Sequence, residues 1–214
     1  MHANLTWLCV HRWPTDEIGV TQTADTQLLA IAKATVYALN DFTKWDNTNG
    51  YCLSWPPAVR TSTRADSALL IGKFRSALDS GMSHNGNHGN GGGMLENSGA
   101  TAAINEMLLQ SHGGRLRFFP VWDATALGPA AFVTLRAYGA FLVSAAINAA
   151  GTVGTVSLWS EHGERVVLES PFSANLAPVV TDGSTGQVVA VHPAPGGYWS
   201  FNTTRSTPYS IASQ

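Results

Sequence analysis

The sequence predicts an α + β protein with a helical first half and a β-sandwich-like second half beginning near Gly113. Two observations carry this expectation. Apolar residues recur at helical spacing as far as residue 112 and lose that spacing afterwards. Beyond Gly114 the chain breaks into short runs rich in β-branched and aromatic residues, several of them separated by turn pairs such as Gly128-Pro129, Ala150-Gly151, His162-Gly163 and Asp182-Gly183. With 214 residues, 44% of them hydrophobic, the chain can bury a sizeable core.

The first helix is expected over residues 24–42, where Leu28, Ala32, Thr35, Leu39 and Phe42 alternate steps of four and three and so share one face. Asp25 is a natural start. A second helix is expected over residues 64–80, with Leu70, Phe74 and Ala77 as its stripe, Asp66 in its first turn and Gly81 at its end. A third is expected from about Gly99 to His112, with Ile104, Met107 and Leu108 on one side and Gly113-Gly114 as its stop. Between the second and third lies a Gly-Asn-His run, residues 81–93, without periodicity. A long loop inside a compact domain is more often functional than a linker.

Strands are expected at residues 115–121, 132–137, 140–148, 153–160, 165–169, 178–181, 187–191 and 197–202. Short strands at such spacing suit a sandwich. The expected domains are therefore 1–113 and 114–214. The first presents a difficulty, because three amphipathic helices must bury their stripes and nothing upstream of Thr21 reads as another strong helix. The expectation is the end of a larger helical domain followed by its β domain, the chain being a fragment.

Charged residues are only 12%, about half the usual share, and 12 basic residues are scattered among 14 acidic ones for a net charge of -2. No basic stripe is present, which argues against a nucleic-acid partner. No apolar stretch approaches the length of a membrane span, and no signal-peptide pattern opens the sequence. Low charge together with 21 glycines and 7 tryptophans suits neutral polar partners, of which sugars are one class. Cys9 and Cys52 allow one bridge but no disulfide framework.

The run Gly91 to His112, with Thr101-Ala102-Ala103-Ile104-Asn105-Glu106-Met107-Leu108-Leu109-Gln110 as its most specific part, resembles the last helix of the catalytic domain in glycoside hydrolase family 95, the α-L-fucosidase family. Arg117-Phe118-Phe119-Pro120-Val121-Trp122 and Leu135-Arg136-Ala137-Tyr138-Gly139-Ala140-Phe141 are similar to that family's crossing into its C-terminal β domain. Looser similarity lies in residues 13–19 and 57–60. Residues 10–172 or so are covered. The resemblance implies the last helices of a six-hairpin α/α toroid, a glycan substrate, hydrolysis of a terminal α-L-sugar with inversion, no cofactor, and a secreted or periplasmic location.

Inversion requires one carboxylic acid to protonate the leaving oxygen and one carboxylate to activate water, about 6.5–9.5 Å apart. In the family the base is an aspartate just ahead of the last helix, reached through a His- and Gly-rich approach, and the acid is a glutamate much earlier. Here the corresponding segment reads Leu95-Glu96-Asn97-Ser98-Gly99-Ala100-Thr101, one residue shorter and without aspartate. Glu96 is the nearest carboxylate and the candidate base, and Asn97 stands where the family has an asparagine. Glu96 also has an ordinary reading as a carboxylate facing a helix N-terminus. His88 is a candidate for a sugar hydroxyl, or a solvated loop residue. Glu106, Arg60, Asp16 and Glu17 read as structural, and no stretch supplies the acid, which is expected outside this chain.

The alternative from the residues alone is a noncatalytic carbohydrate-binding or structural domain, with Trp159, Trp199 or Tyr198 as a stacking platform in the β half. No metal is expected, since the histidines form no HExxH-like pattern. Phosphate-loop and Gly-x-Ser-x-Gly motifs are absent.

Overall fold

The structure, a computed structural model, describes residues 26–38, 55–81, 94–172 and 176–214. Helices and sheets are both present, and the chain divides into two compact units, residues 1–107 and 108–214. No helix among the described residues is long and apolar enough to cross a membrane.

In the first unit, α1 spans Thr26–Ala38. Its buried position is Ala32, whereas Leu28 and Ile31 are 39% and 51% exposed. The inward face is thus turned from the predicted Leu28 stripe toward Leu29, Ala32 and Lys33. Thr35, Leu39 and Phe42 have side chains outside the described residues. Helix α2, Trp55–Arg60, was not foreseen, because Pro56-Pro57 reads as a breaker. Prolines in a first turn need no amide partner, so the helix tolerates both. All six of its residues are buried.

A 3-10 turn, Arg64–Asp66, leads into α3, Ser67–Gly81. Here the predicted stripe is the buried one, with Leu70 at 0% and Phe74 at 3% exposure, and the Phe74 ring stacks on Trp55 at 4.4 Å between centroids. The Ala77 side chain is outside the described residues. Thr63 donates its backbone amide to the Asp66 carboxylate at 2.9 Å, which ties off the start of the turn.

Helix α4 spans Met94–Leu108, beginning before the expected Gly99 and ending before the expected His112. Its buried side chains include Ala103 and Met107. It stops early because β1, Leu109–Gln110, pairs with β2, Arg117–Phe118, and strand pairing replaces the last expected helical turn. Gly113 and Gly114, at φ 64° and 67°, form the turn of that hairpin and are not a helix cap. For the same reason the unit boundary falls between residues 107 and 108, a few residues ahead of Gly113.

The second unit holds two further sheets. The larger runs β3-β4-β5-β11-β7-β8, with β3 Ala130–Ala137, β4 Phe141–Ile147, β5 Val156–Ser160, β7 Val179–Asp182, β8 Val188–Val189 and β11 Thr207–Ala212. The smaller runs β6-β10-β9, with β6 Arg165–Leu168, β9 His192–Ala194 and β10 Tyr198–Asn202. All pairings named within these two sheets are antiparallel. Strict alternation buries one face of the larger sheet: Phe141, Val143, Ala145 and Ile147 on β4, Val156 and Leu158 on β5, Tyr209 and Ile211 on β11. Val166 and Leu168 of β6 and Phe201 of β10 join the same core, where the Phe201 and Tyr209 rings lie 5.8 Å apart.

Strands β9 and β11 escaped the sequence reading. Pro193 and Pro208 interrupt them, and proline argues against a strand interior. β11 is nevertheless central, paired with both β5 and β7, and its Pro208 carbonyl accepts the Gly183 amide at 2.8 Å. The short helix α5, Ala124–Leu127, also went unforeseen; Asp123 caps it by accepting the Thr125 amide at 2.9 Å.

Candidate functional site

Glu96 and Asn97 lie in the first turn of α4, inside the helix instead of ahead of it. The helix starts sooner because Met94 and Leu95, both good helix formers, follow the glycine run directly. The first turn of a helix carries amides without intrahelical partners, a place where carboxylates are favoured. The side chains of both residues, and the whole of His88, His84, Asp16, Glu17, Cys9 and Cys52, are outside the described residues.

The second carboxylate of α4 is Glu106, ten positions on. At 1.5 Å of rise per residue the two are separated by about 15 Å along the axis, beyond the 6.5–9.5 Å of an inverting pair. Glu106 is also engaged by Arg60, whose guanidinium donates to its two oxygens at 2.9 and 3.3 Å. Arg60 is 6% exposed, so this is a largely desolvated pair joining α2 to α4. The pair ties Glu106 into the packing of α2 on α4.

Lys33 and Asp66 form a further ion pair of the first unit, at 3.1 Å. Burial pushes the Asp66 carboxyl up, but the Thr63 amide, the Lys33 ammonium and the Thr63 hydroxyl outweigh it and hold the group below its ordinary range.

In the β unit the three aromatic candidates separate clearly. Tyr198 is 8% exposed, its hydroxyl accepts from Arg117 Nη2 at 2.9 Å, and the Arg115 guanidinium lies 4.7 Å from its ring centroid. It is therefore a core residue and no platform, contrary to the sequence expectation. Trp199 is half-buried and packs against the core. Trp159, by contrast, is 40% exposed on the outer face of the larger sheet.

Sequence reasoning missed the cluster around Arg117. This guanidinium is almost fully buried, contacts His112 Nε2 at 3.4 Å and lies 3.6 Å from Glu169. The only signal was an arginine at a position whose neighbours, Leu116 and Phe118, are core residues. Elsewhere in this unit, Arg136 bonds both oxygens of Glu161, the Nη2 contact being 3.1 Å. Its hydrogen bonds lower the Glu161 carboxyl from its ordinary value.

Among the described residues, no group of three or more His, Cys, Asp and Glu gathers as a metal site. Comparison with the models of known protein families finds no match, and comparison with curated proteins finds none.

Proposed function

We propose that these residues are the closing helices of an α/α toroid catalytic domain and its sandwich-like C-terminal domain, in a glycoside hydrolase of α-L-fucosidase type. The observation that supports this most is an order of parts. A helix carrying the sequence Thr101 to Leu108, with a carboxylate and an asparagine in its first turn, runs directly into a β unit. The exposed Leu28, Ile31 and Leu69 add to it, since they are apolar surface of the kind that neighbouring toroid helices would cover.

In this reading Glu96 takes a proton from water, and the water oxygen attacks the anomeric carbon on the face opposite the leaving group. A glutamate outside this chain protonates the glycosidic oxygen as its bond to that carbon breaks. Asn97 and His88 hold sugar hydroxyls, and no cofactor takes part. The family resemblance is what assigns the acid elsewhere, to a glutamate much earlier in the toroid.

The test uses the natural polypeptide that carries these residues, with 4-nitrophenyl α-L-fucopyranoside and its L-galactose analogue as substrates. Release of nitrophenol with the β-anomer of the free sugar appearing first, followed by proton NMR, is the expected result. No turnover of either substrate, or the α-anomer appearing first, overturns the reading.

A further inference from the structure

The outer face of the larger sheet carries two parallel rows of side chains. Cross-strand register aligns Leu142 of β4, Trp159 of β5 and Pro208 of β11 in one row. The next row, two residues along each strand, is Ser144, Ser157 and Ser210, continued by Thr181 of β7. An aromatic ring thus stands beside a line of hydroxyls, with about 6.5–7 Å between rows along a strand and about 4.8 Å between neighbours within a row. The two rows line an open groove of about 600 Å³.

Three features define what this groove accepts. No charged side chain lines it, and Arg136 of β3, which the register sets beside Leu142, is paired with Glu161. The hydroxyls are available: Ser144 Oγ accepts the Thr134 amide at 2.9 Å and keeps its own hydrogen to donate, while Ser157, Thr181 and Ser210 make no side-chain hydrogen bond to any described residue. Gly183 keeps the β11 end low, since a Cβ there would lie 3.1 Å from the Pro208 ring. A flat apolar ring flanked by neutral hydroxyls matches a pyranose, which has an apolar C–H face and a rim of hydroxyl groups. A phosphate or carboxylate ligand finds no cation here, and an apolar peptide leaves the hydroxyl row unsatisfied.

We propose that this groove binds a neutral oligosaccharide, with one sugar ring stacked on Trp159 and its hydroxyls bonded to Ser157 and Ser210. The proposal rests on residues of the β unit alone and does not require the hydrolase reading to hold.

The test is affinity electrophoresis of the full 214-residue chain in gels containing xyloglucan, galactomannan, laminarin or dextran, with isothermal titration of oligosaccharides from whichever polymer retards it. Retardation by at least one polymer is expected. Trp159→Ala should weaken that binding at least about tenfold, because it removes the stacking area, while circular dichroism stays unchanged for this exposed residue. Ser157→Asp, which puts a charge in the groove, should weaken it similarly. No retardation by any of the four, binding untouched by both groove variants, or a self-association that Trp159→Ala abolishes would each overturn the proposal.

Discussion

Gly163 has φ 83°, and a Cβ on it would meet the Arg205 amide nitrogen at 2.9 Å. Its own amide is held by Ser160 Oγ at 3.0 Å, so the turn after β5 has little freedom to shift. Gly163→Ala is expected to cost about 1–3 kcal/mol, seen as a lower urea midpoint at unchanged slope. At Glu96 the two roles differ in what they predict. As the base, Glu96→Gln in the complete enzyme lowers turnover by about 10²–10⁴ with substrate affinity little changed. As a helix-start carboxylate alone, the same change costs about 0.3–1 kcal/mol of stability and leaves turnover nearly intact. Measuring turnover and unfolding midpoint together separates them, and activity within about threefold of the parent removes Glu96 from the mechanism.

At the scale of elements, the contact of α2 with α3 rests on Trp55 and Phe74, stacked and almost fully buried. Phe74→Ala leaves a cavity against the indole and is expected to cost about 3–5 kcal/mol in a denaturant titration. The Asp66 turn makes a smaller, pH-dependent contribution. Because its folded carboxyl is held below the ordinary 3.8, the folded form binds fewer protons than the unfolded form in that range. Its stabilisation is therefore complete above about pH 4 and is lost as pH falls through the lowered folded value. With the Lys33 side chain 38% exposed, the ion pair adds at most about 1 kcal/mol. Asp66→Asn should flatten the acid limb of the stability curve and leave its shape above pH 6 unchanged, by thermal melts across pH 2–7.

For the whole molecule, the two units are expected to differ in how well each folds by itself. The β unit closes a continuous core from Leu109 to Ile211 out of residues of its own. Both units also leave large apolar side chains at the surface, Leu28, Ile31 and Leu69 at 39–51% exposure in the helical unit and Val133, Tyr138, Trp159, Leu176 and Val188 at 40–77% in the β unit. Residues 108–214 expressed alone are expected to unfold in one cooperative transition, whereas residues 1–107 alone should bind a hydrophobic dye and aggregate. A monodisperse, dye-silent helical unit would remove the argument that its apolar faces belong against missing neighbours.

Local pattern alone determined the change from helix to strand, the Leu70 and Phe74 stripe, and strands β3 to β8 and β10 to within a few residues, because periodicity of 3.6 or 2 is written directly in the order of side chains. It also marked Trp159, Trp199 and Tyr198 as candidates but had no means to rank them. That ranking came from tertiary structure: Arg117 reaches Tyr198 across 81 positions and buries it, while Trp159 stays on the open side of β5. The same holds for β11, whose proline-bearing sequence reads as loop, yet two neighbouring strands supply its ladder. It holds again for the end of α4, where pairing of Leu109-Gln110 with Phe118 and Arg117 prevailed over a periodicity that ran on to His112. In each case the deciding interaction is a contact between residues distant in sequence, whose strength no window along the chain contains.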